Sequence, residues 1–99
     1  MLQLLPPDLE FIKSNSDVVH LAAERCMQIA SLFESRDINL DIEEIKREQD
    51  KYRGVPLGTI CMYLIPDTPY DWIHDTIRYC ALVFEFNHRY VRIERVLAL

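Results

Sequence analysis

Ninety-nine residues, 49% apolar and 27% charged, suffice for one modest core and are far too apolar for a disordered chain. A net charge of −5 and a pI near 5.1 repel phosphate backbones and anionic lipid heads, so nucleic acid and membrane surfaces are poor partners, and the charge suits a basic protein partner or simply solubility. Only two glycines are present to supply the positive-φ positions of tight hairpins, which leans against an all-β fold.

The apolar start Met1-Leu2-Gln3-Leu4-Leu5 has no basic flank and meets Pro6 and Pro7 at once, which is too short a pattern for a secretory signal. Residues 7–14 can form a short helical turn with proline at its start. Ser14, Asn15 and Ser16 punctuate the chain, and Ser16 is a suitable N-cap for a helix running to about residue 36. Val19, Ala22, Ala23, Cys26, Ile29, Ala30 and Phe33 make its apolar stripe, with His20, Glu24 and Gln28 opposite. Asp37 or Asn39 can cap a third helix to about residue 53. That helix is narrow-striped and charged, with Gln49 where an apolar residue is expected, so it belongs on the outside. Gly54 and Pro56 stop it. The apolar segment 57–65 lies between prolines and reads equally as a buried helix or a buried strand.

Residues 68–97 carry the strongest periodicity. Thr68 as N-cap, Pro69 at the first helical position and Asp71 at the third open a helix. Asp71, His74, Asp75, Arg78, Glu85, His88, Arg89, Arg92 and Arg95 then fall within an arc of roughly 160°. Trp72, Tyr79, Val83, Phe86, Tyr90, Ile93 and Leu97 fall on the opposite side at heptad spacing. Acids near the start and arginines near the end suit the helix dipole. The competing pattern is a hairpin over 77–97 turning at Asn87 and His88, favoured by β-branched and aromatic content but lacking the usual turn glycine. The expected fold is all-α: a single domain, a bundle of about four helices with a long C-terminal one. The alternative is α+β, with two N-terminal helices and a small antiparallel sheet that includes the hairpin.

Few patterns carry chemistry. Cys26, Cys61 and Cys80 are odd in number and widely spaced, which suits buried thiols in a reducing, cytoplasmic setting better than disulfides or zinc. No catalytic, metal or cofactor motif appears, and no stretch is long and apolar enough to span a membrane. His74 beside Asp71 and Asp75 could form an acid–base pair in an enzyme or a ligand-binding homodimer, although a solvated helix face has the same composition. The segment Arg53-Gly54-Val55-Pro56-Leu57-Gly58-Thr59-Ile60-Cys61-Met62-Tyr63-Leu64 loosely resembles the turn and second helix of a helix-turn-helix. That resemblance implies a degenerate DNA-binding regulator. Thr59, Cys61 and Met62 stand where Arg, Gln or Asn would read base edges, and the acidic charge also opposes it.

The leading expectation is a protein-interaction domain that acts by occluding a partner, as an inhibitor, immunity-type protein or adaptor, and not an enzyme. Trp72, Tyr79, Phe86, Arg89, Tyr90 and Arg92 are the expected partner-binding residues, because aromatic and arginine side chains dominate interfaces. Asp41, Glu44 and Glu48 are the expected acidic docking face. An unbroken helix over 69–97 would span roughly 43 Å, against a radius of gyration near 13 Å for a compact domain of this size. Its end would then need a cover, either a partner or a second copy of the chain in a homodimer.

Overall fold

The computed structural model describes residues 6–66 and 69–97. Among them lie six helices and no strand: α1 (Pro6–Ser14), α2 (Ser16–Ser35), α3 (Ile42–Asp50), α4 (Leu57–Leu64), α5 (Pro69–His74) and α6 (Thr76–Leu97). The protein is a small helical bundle, and the hairpin alternative for 77–97 is not what forms. Segment 57–65 is helical to Leu64, with Ile65 as its C-cap.

α6 is the central element. It packs most extensively against α3, then against α4 and α2, while α1 lies against both α2 and α4. The sequence explains why. Between Arg78 and Glu85 there is no charge, and Tyr79, Cys80, Ala81, Leu82 and Val83 are all buried. Five consecutive residues cover the whole circumference of a helix, and a helix apolar all round belongs inside. Ile45 of α3, Leu57, Ile60 and Leu64 of α4, and Ile29 of α2 complete the core with Phe86, each fully excluded from solvent. Gly58 permits a close approach of α1 to α4, since a side chain there would meet the Phe11 ring at 2.7 Å.

Three expectations are corrected. The long C-terminal helix is interrupted at Asp75, where the Thr76 hydroxyl donates to the Ile73 carbonyl at 3.0 Å and competes with the local ladder. The ladder resumes at once through Asp75 N–H to Asp71 O and Tyr79 N–H to Asp75 O. α6 alone spans about 33 Å, shorter than the 38 Å long axis of a body of 38 × 26 × 21 Å with a radius of gyration of 13.5 Å. The expected capping by Thr68 lies outside the described residues. The caps upstream also shift. Asn15, not Ser16, occupies the N-cap of α2, its side-chain amide donating instead to the Phe11 carbonyl. Asp41, not Asp37 or Asn39, caps α3 by accepting from the Glu43 and Glu44 amides at 3.1 and 3.3 Å.

The third correction concerns the charged arc of α6. Glu85 and Arg89 point inward, at 3% and 7% exposure. Arg89 Nε donates to Glu85 Oε2 at 2.7 Å. Its other nitrogens donate to the carbonyls of Tyr52, Arg53 and Val55, in the turn that follows α3. Gln49 donates to the second Glu85 oxygen at 3.3 Å, which accounts for the polar residue in the α3 stripe. Asp8 lies 3.9 Å from Arg89 and accepts the Leu57 amide at 3.2 Å, so α1 caps α4 from a distance. The guanidinium thereby gathers three carbonyls of one partly buried turn, of which that of Tyr52 also accepts the Val55 amide.

Removing one partner from such a node leaves the rest buried and uncompensated. Arg89→Ala is expected to destabilise the fold by about 3–5 kcal/mol, whereas Arg92→Ala, on a half-exposed residue, should stay within about 0.5 kcal/mol. Urea denaturation of the two variants checks this.

Candidate functional site: an acidic face beside a tyrosine–arginine cluster

Asp41, Glu44 and Glu48 recur at three- and four-residue steps, which places them within roughly 60° of the α3 circumference. Asp41 and Glu44 are exposed and Glu48 is half-buried. Glu48 pairs with Lys51 at 2.8 Å and accepts the Tyr52 hydroxyl at 3.4 Å. The acidic face therefore runs directly into Tyr52.

Tyr52 opens a cluster drawn from three elements. Its ring meets that of Tyr63, on α4, edge to face, with centroids 6.4 Å apart. Arg78 of α6 places its positive charge beside the Tyr52 phenol. The Arg78 guanidinium carbon also lies 5.2 Å from the Tyr63 ring centre and 5.9 Å from that of Tyr79. Cation–π contacts of this kind contribute about 0.5–1 kcal/mol each at partly exposed sites. Tyr79 in turn meets Trp72 edge to face at 6.5 Å. Burial pushes the Tyr52 phenol up from its ordinary range, with the Arg78 guanidinium opposing the shift. The outer part of the cluster reaches solvent: Tyr63 is 38% exposed, and Tyr52 and Arg78 are half-buried.

The residues expected to bind a partner are distributed differently. Trp72, Tyr79, Phe86 and Arg89 are buried within the monomer, so the heptad stripe is used inside the fold. The Trp72 indole N–H has no hydrogen-bond partner among the described residues. Tyr90 stacks on Phe86 at 5.3 Å, is half-buried, and lines a cleft with residues of α1 and α2. Arg92 is half-buried. The side chains of Ile93 and Leu97 lie outside those described. Tyr52, Tyr63 and Arg78 were not expected at the site, and only their residue types, favoured at interfaces, could have pointed to them.

The remaining chemistry is sparse. Asp71, His74 and Asp75 are exposed, and none lines the cleft between α2 and α6, that between α1 and α4, or that beside Tyr90. Among the described residues no group of three or more His, Cys, Asp and Glu could hold a metal ion, and no helix is long and apolar enough to cross a membrane. On α4, Thr59 is half-buried, Cys61 fully buried and Met62 exposed. All three cysteines are free and buried. Burial pushes the thiols of Cys26 and Cys61 up to about 12 and that of Cys80 to about 11. They are therefore protonated, poorly nucleophilic thiols at neutral pH. The chain matches no known family model, no curated protein and no solved structure.

A thiol pKa raised by folding contributes stability that is fully present below the ordinary value of 9.0 and is lost as pH climbs through the folded value. Tyr52 and Tyr79, also raised chiefly by burial, act in the same direction. The urea midpoint should hold level through neutral pH and fall steadily on titration above pH 9. Ellman's reagent should label the three thiols far more slowly in the native protein than in urea.

Proposed function

We propose that this protein is a binding domain that occludes a basic protein partner, in the manner of an inhibitor, an immunity-type protein or an adaptor. The observation that carries the reading is the juxtaposition of Asp41, Glu44 and Glu48 with the half-exposed Tyr52–Tyr63–Arg78 cluster. Tyrosine and arginine supply large contact area with a polar tip and predominate among interface residues whose loss is costly. Neighbouring carboxylates accelerate encounter with a positively charged surface and disfavour acidic competitors. The cluster is held by side chains already in contact with one another, so little ordering remains to oppose binding. The net charge of −5 extends the same preference over the molecule. A reducing, cytoplasmic home belongs to this reading, supported by three unpaired thiols.

The test is affinity capture with the tagged full chain from its native host, followed by kinetics on the captured partner. A basic partner is expected. Glu44→Lys with Glu48→Lys should slow its association about tenfold at low salt, with the difference shrinking as salt is added. Tyr63→Ala should leave association largely unchanged and weaken the complex by about 2 kcal/mol through faster dissociation. Circular dichroism of each variant establishes that the helices persist. A captured partner indifferent to both changes, or an acidic one, would overturn the reading.

A further inference from the structure

A second site lies where α2 ends against α6. The cleft there encloses about 340 Å³, within the size range of small-molecule pockets. Its floor is made by Ile29, Phe33, Cys80 and Val83, each 6% exposed or less, and Phe84 stands at its lip with 41% of its surface in water. The only ionisable acids among the lining residues are Glu34 and Asp37, and no lysine, arginine or histidine lines it. Arg36, between them in sequence, is exposed and takes no part in the lining. Neither carboxylate has an ion-pair partner among the described residues.

The mouth of this cleft is built against the ordinary rules of helix endings. α2 stops by a left-handed turn in which the Asp37 amide donates to the Glu34 carbonyl at 3.2 Å and the Ile38 amide to the Phe33 carbonyl at 3.4 Å. Asp37 itself sits at φ 50°, the position that glycine usually fills in such a stop. The carbonyl end of a helix carries partial negative charge and favours lysine or arginine in the last turn. α2 has no base in its last turn and has Glu34 there instead. Two carboxylates and the negative end of a helix thus converge at the rim of an apolar cleft. For the isolated fold, glycine at 37 and a base at 34 would be the favourable choices.

We infer that this cleft binds an amphiphilic organic cation, its apolar body against Phe33, Val83 and Phe84 and its ammonium group between Glu34 and Asp37. The apolar floor selects against small inorganic cations, and the charge at the mouth selects against fatty-acid-like anions. The inference is independent of the α3 face and stands or falls without it.

The experiment is an amide-resolved NMR titration of the full chain with n-octylammonium, and with 1-octanol and octanoate as neutral and anionic counterparts. Octylammonium should produce saturable shifts concentrated at residues 29–40 and 80–84. It should bind about three- to tenfold more tightly than octanol, as two exposed ion pairs allow, and octanoate should not saturate. Glu34→Gln with Asp37→Asn, where asparagine tolerates the same left-handed backbone, should erase the preference for the cation and leave octanol binding unchanged. Asp37→Gly should raise the thermal midpoint of the unliganded protein by about 4 °C while weakening octylammonium. No saturable shift at the cleft, equal affinity for octanoate, or a double variant that keeps its preference for the cation would each overturn the inference.

Discussion

The buried guanidinium of Arg89 is the interaction on which the rest of the structure depends. It lies where the chain leaving α3 turns toward α4, and this partly buried turn presents three carbonyls to the guanidinium. A buried carbonyl left unpaired costs about 1–3 kcal/mol; the Tyr52 carbonyl already accepts the Val55 amide, and a multivalent donor serves it together with the carbonyls of Arg53 and Val55. Arginine is suited to the task because its planar fork can serve several acceptors at once and never loses its charge. Bringing that charge inside is itself costly, which is why Glu85 lies 2.7 Å away and Asp8 at 3.9 Å. The carboxylates are occupied in turn by Gln49 and by the Leu57 amide. Five stretches of chain, α1, α3, the turn, the start of α4 and α6, are fixed to one another by a single polar node.

The same turn positions the proposed binding face. Tyr52 gives its carbonyl to Arg89 on the inside, while on the outside its ring meets Tyr63 and its hydroxyl donates to Glu48. A residue held from within by a buried charge has little freedom at its surface, and rigid aromatic side chains bind with less ordering penalty. The node and the cluster are therefore two sides of one construction: the polar interior fixes the register of α3 and α4 against α6, and that register brings three elements together at the tyrosines. The cleft at the end of α2 follows a different logic. There the chain departs from what stability favours, and departures of that kind concentrate where a molecule interacts with something else.

Much of this was legible in the sequence. The expected stripe of α2 contains all five residues that it buries, Val19, Ala22, Cys26, Ile29 and Phe33, with Ala23 half-buried and Ala30 exposed at its margin, and helical periodicity correctly outweighed β propensity over 77–97. The caps of α2 and α3 were misplaced because Ser, Asn and Asp crowd both loops, and a local signal with several equivalent candidates cannot choose among them. Periodicity placed Glu85 and Arg89 on the charged arc of α6 and gave no sign that both are buried. The uncharged run ahead of Glu85 and the solitary Gln49 in the α3 stripe were the two available hints, and both make sense only once the helices are seen to face each other. The Tyr52–Tyr63–Arg78 cluster and the cleft beside Asp37 were not legible, because each is assembled from elements far apart in the chain and no local spacing encodes them.

The most direct test of the central claim is native-state hydrogen exchange, resolved by residue, across the turn between α3 and α4. The Leu57 amide, held by Asp8 in a buried setting, and the Val55 amide, held by the Tyr52 carbonyl at 3.2 Å, should exchange nearly as slowly as the core amides of α6 in the natural protein. In Arg89→Gln they should lose protection well before the core of α6 does, because the turn is released while the apolar packing around Phe86 survives. Rapid exchange of Leu57 and Val55 in the natural protein, or a uniform loss of protection along the whole chain in the variant, would contradict the account.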